Sequence, residues 1–170
     1  MKQLKLILCS FIISLILAPS VFANGEGLGM KPGNPKGFNY ALDPGGETKD
    51  FITLINDSTE DQTLLISASD AILTSGSFSL KDTEEVQTMV GTWVKLEKTK
   101  ILLKAGTQEK ISFTVNVPKT VGPGDYAGGI LATIDTSSAG AQGGAVSVSR
   151  LGARMYISVS GERTFSFLWE

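Results

Sequence analysis

The stretch GPGDYAGGILATID, residues 122–135, sets four glycines and a proline in its first eight positions before it turns apolar. A glycine-rich turn ahead of a hydrophobic run is the arrangement that cradles a phosphate, because bare backbone amides approach the anion closely. The chemistry fails at particular residues. A phosphate loop needs a lysine and a hydroxyl directly after its last glycine, and Ile130 and Leu131 stand there; the dinucleotide fingerprint needs a glycine where Ala127 lies. Both motifs also need a following helix, whereas Ile130 to Ile134 alternates and is β-branched. The stretch is therefore expected to be a strand corner, with Pro123-Gly124 turning the chain and Gly128-Gly129 admitting a close neighbour.

Other catalytic chemistry is equally poorly supplied. Histidine is absent and the one cysteine is Cys9, so imidazole bases, thiol nucleophiles and the common soft-metal ligands are lacking. The serines between Ser137 and Ser149 have no histidine for a triad and no S-x-x-K pattern for a dyad. Glu84-Glu85 reads as helix-cap and solvated-face chemistry rather than as a glycosidase pair. No catalytic, cofactor-binding or metal-binding residue is expected. The residues left for ligand contact are Trp93 and Tyr126, then Arg150 and Arg154; Tyr40 is ambiguous in the same way. Each has an ordinary alternative, core or corner packing for the aromatics and solvent exposure for the arginines.

The elements that position these residues follow from hydrophobic period. Phe38, Tyr40 and Leu42 fall two apart, Phe51 to Ile55 makes another strand, and Leu64, Ile66 and Ala68 a third, with a short piece at Phe78 and Leu80. Val86, Met89, Val90 and Trp93 recur at helical spacing, with Asp82 or Thr83 as N-cap and Glu85 to close a capping box, which predicts a helix of about two turns over 82–93. Ile101 and Leu103, then Ile111, Phe113, Val115 and Val117, return to alternation. A long strand toward the C-terminus switches phase between Val146/Val148 and Leu151 to Val159, predicting a bulge near Ser149 or Arg150, and Phe165, Phe167 and Trp169 alternate at the end. The segments LDPGGETKDFITLIN and LKAGTQEKISFTVNVP echo each other as a glycine turn running into a strand. Seven to nine short strands with one brief helix predict an all-β, immunoglobulin-like β-sandwich over 37–170.

Residues 1–23 carry two lysines, an apolar run from Leu6 to Ala18 and a V-F-A ending, the pattern of a secretory signal peptide cleaved after Ala23. Thirteen apolar residues are short for a membrane span, and no second apolar segment is longer, so no membrane span is expected in the mature chain. Removing 23 of 170 residues leaves 147, without cysteine, and a formal charge of −4 from thirteen basic and seventeen acidic groups. No run of one sign marks a nucleic-acid partner. Residues 24–36, rich in Gly, Pro and Asn, read as a flexible lead-in.

The order of DPGGETKDFITLIN, Trp93-Val94-Lys95-Leu96, a glycine-turn strand ending in Val117-Pro118, GPGDYAGGI and RLGARMYISVSG resembles the peptidoglycan-binding domain of WxL-interacting surface proteins, over roughly Gly37 to Glu170. The resemblance implies an exported, non-enzymatic module of a Gram-positive-type cell wall, secreted or wall-associated, that contacts peptidoglycan or another wall glycan, with another surface protein as a further partner. It also implies that a second immunoglobulin-like domain and a membrane helix follow, and the aromatic ending FSFLWE suits a domain boundary. The alternative expectation is a structural or assembly protein, a surface-fibre subunit or pilus-chaperone-like sandwich acting through strand pairing.

Overall fold

The computed structural model describes residues 27–74, 76–136 and 150–162. The leader, the phase switch at 146–149 and the strand expected at 165–169 lie outside the described residues.

Alternation becomes two sheets. Strands β1 (Leu28–Pro32), β3 (Glu47–Asn56), β8 (Thr107–Asn116) and β6 (Val94–Leu96) form an antiparallel sheet in the order β1-β3-β8-β6. The other sheet runs β2 (Phe38–Leu42), β10 (Arg150–Val159), β9 (Gly124–Ile134), β4 (Gln62–Thr74), β5 (Ser77–Leu80), and β7 (Lys100–Leu103) pairs with the start of β4. β2 runs parallel to β10, while β9 is antiparallel to both of its neighbours, β10 and β4. The inward phases meet as one core: Ile52, Leu54, Ile111, Phe113 and Val115 from the first sheet face Phe38, Leu64, Ile66, Ile130, Met155 and Ile157 from the second. Phe38 and Phe113 close edge to face across it, with centroids 5.1 Å apart. The expected immunoglobulin-like β-sandwich is the fold observed.

Two expectations need correction. Residues 24–36 are not simply a lead-in, because Leu28–Pro32 pairs with β3 from Leu28↔Asn56 to Pro32↔Ile52, and Leu28 and Met30 pack on the core. Pro32 is tolerated because β1 is an edge strand, where a missing amide leaves no ladder bond unmade. The Gly- and Asn-rich residues after it make the turn to β2, with Gly37 N–H donating to Asn34 O and Lys36 N–H to Asn34 Oδ1.

The helix predicted over 82–93 is one turn only, α1 (Val90–Trp93). Its apolar period was real at Val90 and Trp93, which are buried, but Val86 is 79% and Met89 48% exposed. Asp82 N–H does donate to Glu85 Oε1, as a capping box would, yet the contact closes an isolated turn. The competitor is Asp70, buried at the far end of β4. Its carboxylate accepts from the amides of Thr88, Met89 and Gly91, and Gln87 Oε1 accepts the Asp70 amide at 2.6 Å. Side-chain bonds have taken the amides that a longer helix would have used.

Burial alone pushes the Asp70 carboxyl up, but the amides of Thr88, Gly91 and Met89, with Lys81 3.8 Å away, outweigh it and hold it below the usual carboxylate value. Its stabilising contribution is thus complete above the unfolded pKa of about 3.9 and is lost as pH falls through the lower folded value. Asp70→Asn is expected to cost about 2–3 kcal/mol at neutral pH and to flatten the acid limb of the stability profile, measured by urea unfolding from pH 7 down to about pH 2.

Candidate functional site

The four residues singled out for ligand contact do not converge. Trp93 is 4% exposed and lies edge-on to Tyr126 at 4.9 Å, so it is a core residue and not a sugar platform. Tyr126 is half-buried, and its hydroxyl donates to Gly122 O at 2.9 Å, closing the corner that opens β9. Tyr40 donates to Asp50 Oδ2 at 2.9 Å; burial first, then that bond and the Asp50 charge, raise its phenol well above the ordinary value.

Arg150 and Arg154 lie on the opposite face of the six-stranded sheet, out of phase with Leu151, Ala153 and Met155 as expected. Both hold β5. The Arg150 guanidinium bonds the Asp82 carboxylate and donates to Leu80 O and Lys81 O, while Arg154 lies 4.6 Å from the Phe78 ring centroid. Leu80 is seated over Gly129 and Gly152, and a Cβ at Gly129 would meet Leu80 Cδ1 at 2.8 Å and Ala153 O at 2.4 Å. On the inner side a Cβ at Gly128 would meet Ser69 O and Val90 Cβ at 2.6 Å each. The paired glycines of the opening stretch therefore let β5 and α1 approach one strand from its two faces, with the run continuing as β9.

The site that the fold does assemble lies on the outer face of the four-stranded sheet. Because Ile52, Leu54, Ile111, Phe113 and Val115 point inward, their neighbours point out. Register then sorts these into rows. Lys31, Thr53 and Lys110 stand side by side on β1, β3 and β8; Phe51 stands beside Ser112; and Lys49, Thr114 and Lys95 stand side by side on β3, β8 and β6. With strands about 4.8 Å apart and outward residues about 6.8 Å apart along a strand, the two lysines within a row are about 10 Å apart and the rows about 14 Å. Lys49, Lys95 and Lys110 with Phe51, Ser112 and Thr114 line an open groove of about 540 Å³.

Lys110 Nζ lies 3.4 Å from the Phe51 ring centroid, a cation–π contact of about 0.5–1 kcal/mol at such an exposed position. Gly33 presses against the edge of the same ring, where a Cβ would meet Phe51 Cε1 at 2.8 Å. Two carboxylates border the groove. Asp50 is engaged with the Tyr40 hydroxyl and the Phe51 amide, and Glu97, whose amide donates to Ser112 O, makes no side-chain ion pair within 4 Å among the described residues. Among the described residues, Lys31, Lys95 and Lys110 make no ion pair, and Lys49 has only the exposed Glu47 at 3.8 Å. At about 10 Å in water two such ammonium groups repel by only about 0.4 kcal/mol, less with salt, so the fold tolerates the cluster.

Sequence reasoning passed over this face because its lysines are scattered along the chain. A signal was present: both echoing segments put a lysine in the outward phase, Lys49 and Lys110, on strands whose inward phase is plain.

No protein-family model matches the sequence, and no curated protein matches it. Solved structures share the fold. A family 123 glycoside hydrolase from Clostridium perfringens, described in work on glycolipid glycan hydrolysis, aligns with 80% of this chain and 28% of its own at 12% identity and a TM-score of 0.55. The E. coli chaperone DraB aligns with 78% of this chain and 55% of its own at 7% identity and a TM-score of 0.50. The chain thus spans about a quarter of the hydrolase and about half of the chaperone. A PapD-like domain of human CEP192 aligns over 88% of this chain and 94% of its own, at 14% identity and a TM-score of 0.45. The class is an immunoglobulin-like β-sandwich, a fold shared with part of the hydrolase and with the chaperone DraB. At such identities the likeness is one of fold, and function is argued from the site.

The contacts at Gly129 yield a direct test. Gly129→Ala is expected to lower the unfolding free energy by about 1–3 kcal/mol through overpacking against Ala153 O and Leu80, whereas Gly122→Ala, with open space at its Cβ, leaves the denaturant midpoint unchanged.

Proposed function

We propose that this chain is an exported, non-enzymatic binding module of the cell wall, which contacts wall material through the outer face of its four-stranded sheet. One observation carries the reading: Lys31, Lys49, Lys95 and Lys110 are gathered around Phe51 and Ser112 by the pairing of β1, β3, β8 and β6. The sequence supports export through its leader and supports the wall through the ordered resemblance to the peptidoglycan-binding domain of WxL-interacting surface proteins. The absence of a hydrolytic role is part of the proposal. Of the two carboxylates that border the groove, Asp50 is held by Tyr40 and the Phe51 amide, which supports a binding rather than a hydrolytic role. No helix among the described residues is long and apolar enough to cross a membrane.

A second reading has one favouring observation. β2 is a five-residue strand at the end of the six-stranded sheet, paired in parallel with β10, and among the described residues no strand pairs with its other edge, the place where a strand from another subunit would add. Light scattering on the mature chain separates the two readings, since strand exchange requires a concentration-dependent oligomer and the wall-binding reading is met by a monomer.

Ser112 is exposed at the centre of the groove. Ser112→Trp adds bulk there without changing charge, on a strand that accepts aromatics. The mature protein is expected to sediment with purified walls, and Ser112→Trp to lower its apparent affinity about tenfold with an unchanged melting temperature, which corresponds to about 1.4 kcal/mol. Undiminished sedimentation of the variant would place binding on another face, and a protein that stays wholly in the supernatant would remove the wall-binding reading.

A further inference from the structure

Lysines without an ion pair are concentrated on this face. Elsewhere Lys81, Lys98, Lys100 and Lys104 are each paired with a carboxylate, at Asp70, Glu109, Asp135 and Asp61, and among the described residues the other lysines without an ion pair, Lys36 before β2 and Lys119 after β8, stand apart in loops. On the groove face Lys31, Lys95 and Lys110 have no such partner among the described residues, although the mature chain as a whole carries a formal charge of −4. A protein that is acidic overall presents one basic sheet face.

Resting on the wall-binding reading above, we infer that the ligand of this face is an anionic wall polymer carrying phosphodiester groups along its length, rather than the uncharged glycan. Four lysines whose backbone positions lie about 10–14 Å apart, and about 20 Å on the Lys31–Lys95 diagonal, spread over more surface than a single phosphate occupies, and they match negative charge repeated along an extended chain. All four are lysines. A compact ammonium on a flexible stem offers no fork for bidentate recognition, so it tolerates a polymer whose phosphates arrive in no fixed register. Ser112 and Thr114 line the same open groove and supply hydroxyls for the polar links between charges. Stacking of a neutral sugar, by contrast, lacks an open aromatic face, because Lys110 covers Phe51.

The test uses the mature chain with two preparations of the same walls: intact, and stripped of phosphodiester polymer by hydrofluoric acid so that peptidoglycan remains. Intact walls are expected to bind at least tenfold more tightly than stripped walls. With four contacts and the salt dependence of a flexible single-stranded polyanion, affinity should fall roughly fifty-fold between about 50 mM and about 200 mM salt. Lys49→Gln combined with Lys95→Gln should halve the slope of log affinity against log salt, because two of the four charges are gone. Lys104→Gln, on an exposed pair outside the groove, should leave the slope as it is. Equal, salt-insensitive binding to intact and stripped walls would overturn the anionic ligand and leave the wall-binding reading standing. Binding to neither would overturn both.

Discussion

The antiparallel register of β3 with β8 is the constraint on which the rest depends. Ten residues of each strand pair without a break, from Glu47↔Asn116 to Asn56↔Thr107. Ile52 faces Ile111 on the inside of the sandwich, and one step along, Phe51 faces Ser112 and Thr53 faces Lys110 on the outside. A slip by one residue would turn every side chain to the other face, exposing the isoleucines and burying the lysines. The turns hold this register from both ends. Asp43 O accepts the Gly46 amide and Lys104 O accepts the Thr107 amide, with Gly45 and Gly106 both at positive φ, so each strand starts from a defined point. Core and charged face are consequences of one ladder.

The second sheet is organised by close approach rather than by charge. β9 carries no side chain at 128 or 129, and α1 and β5 occupy the space thus left on its two sides. Asp70 then ties the loop ahead of α1 to β4, and Arg150 ties the residues just after β5 back to the sheet through Asp82 and the carbonyls of Leu80 and Lys81. Residues with the look of ligand contacts, Trp93 and Arg150 above all, are occupied with holding these pieces in place. Buried aromatics and anchored guanidinium groups serve the fold, whereas Lys31, Lys95 and Lys110 make no ion pair among the described residues.

A sandwich of this kind is shared with part of a glycoside hydrolase and with the chaperone DraB at identities of 12% or less, so the architecture by itself does not define a task. This chain carries a lysine-rich sheet face on a molecule whose formal net charge is −2. The groove on that face is an open one, lined by side chains from β3, β8 and β6 rather than enclosed within the core.

The amino-acid sequence by itself determined the sandwich, most of its strands, the corner at Gly122 to Tyr126 and the lack of phosphate-loop chemistry, because period, turn residues and missing lysines are local properties. It misled on β1, where alternation at Leu28 and Met30 was too brief to stand out among glycines and prolines, and on residues 82–89, where an apolar period at helical spacing was real but its amides were already taken. Only the tertiary structure decided those, since Asp70 lies 18 to 21 residues before the amides it binds. The same holds for the groove: Lys31, Lys49, Lys95 and Lys110 span four strands, and only the pairing of those strands places them on one face. Local pattern specifies which way a side chain points within its strand; which side chains become neighbours is set by register between strands far apart in the chain.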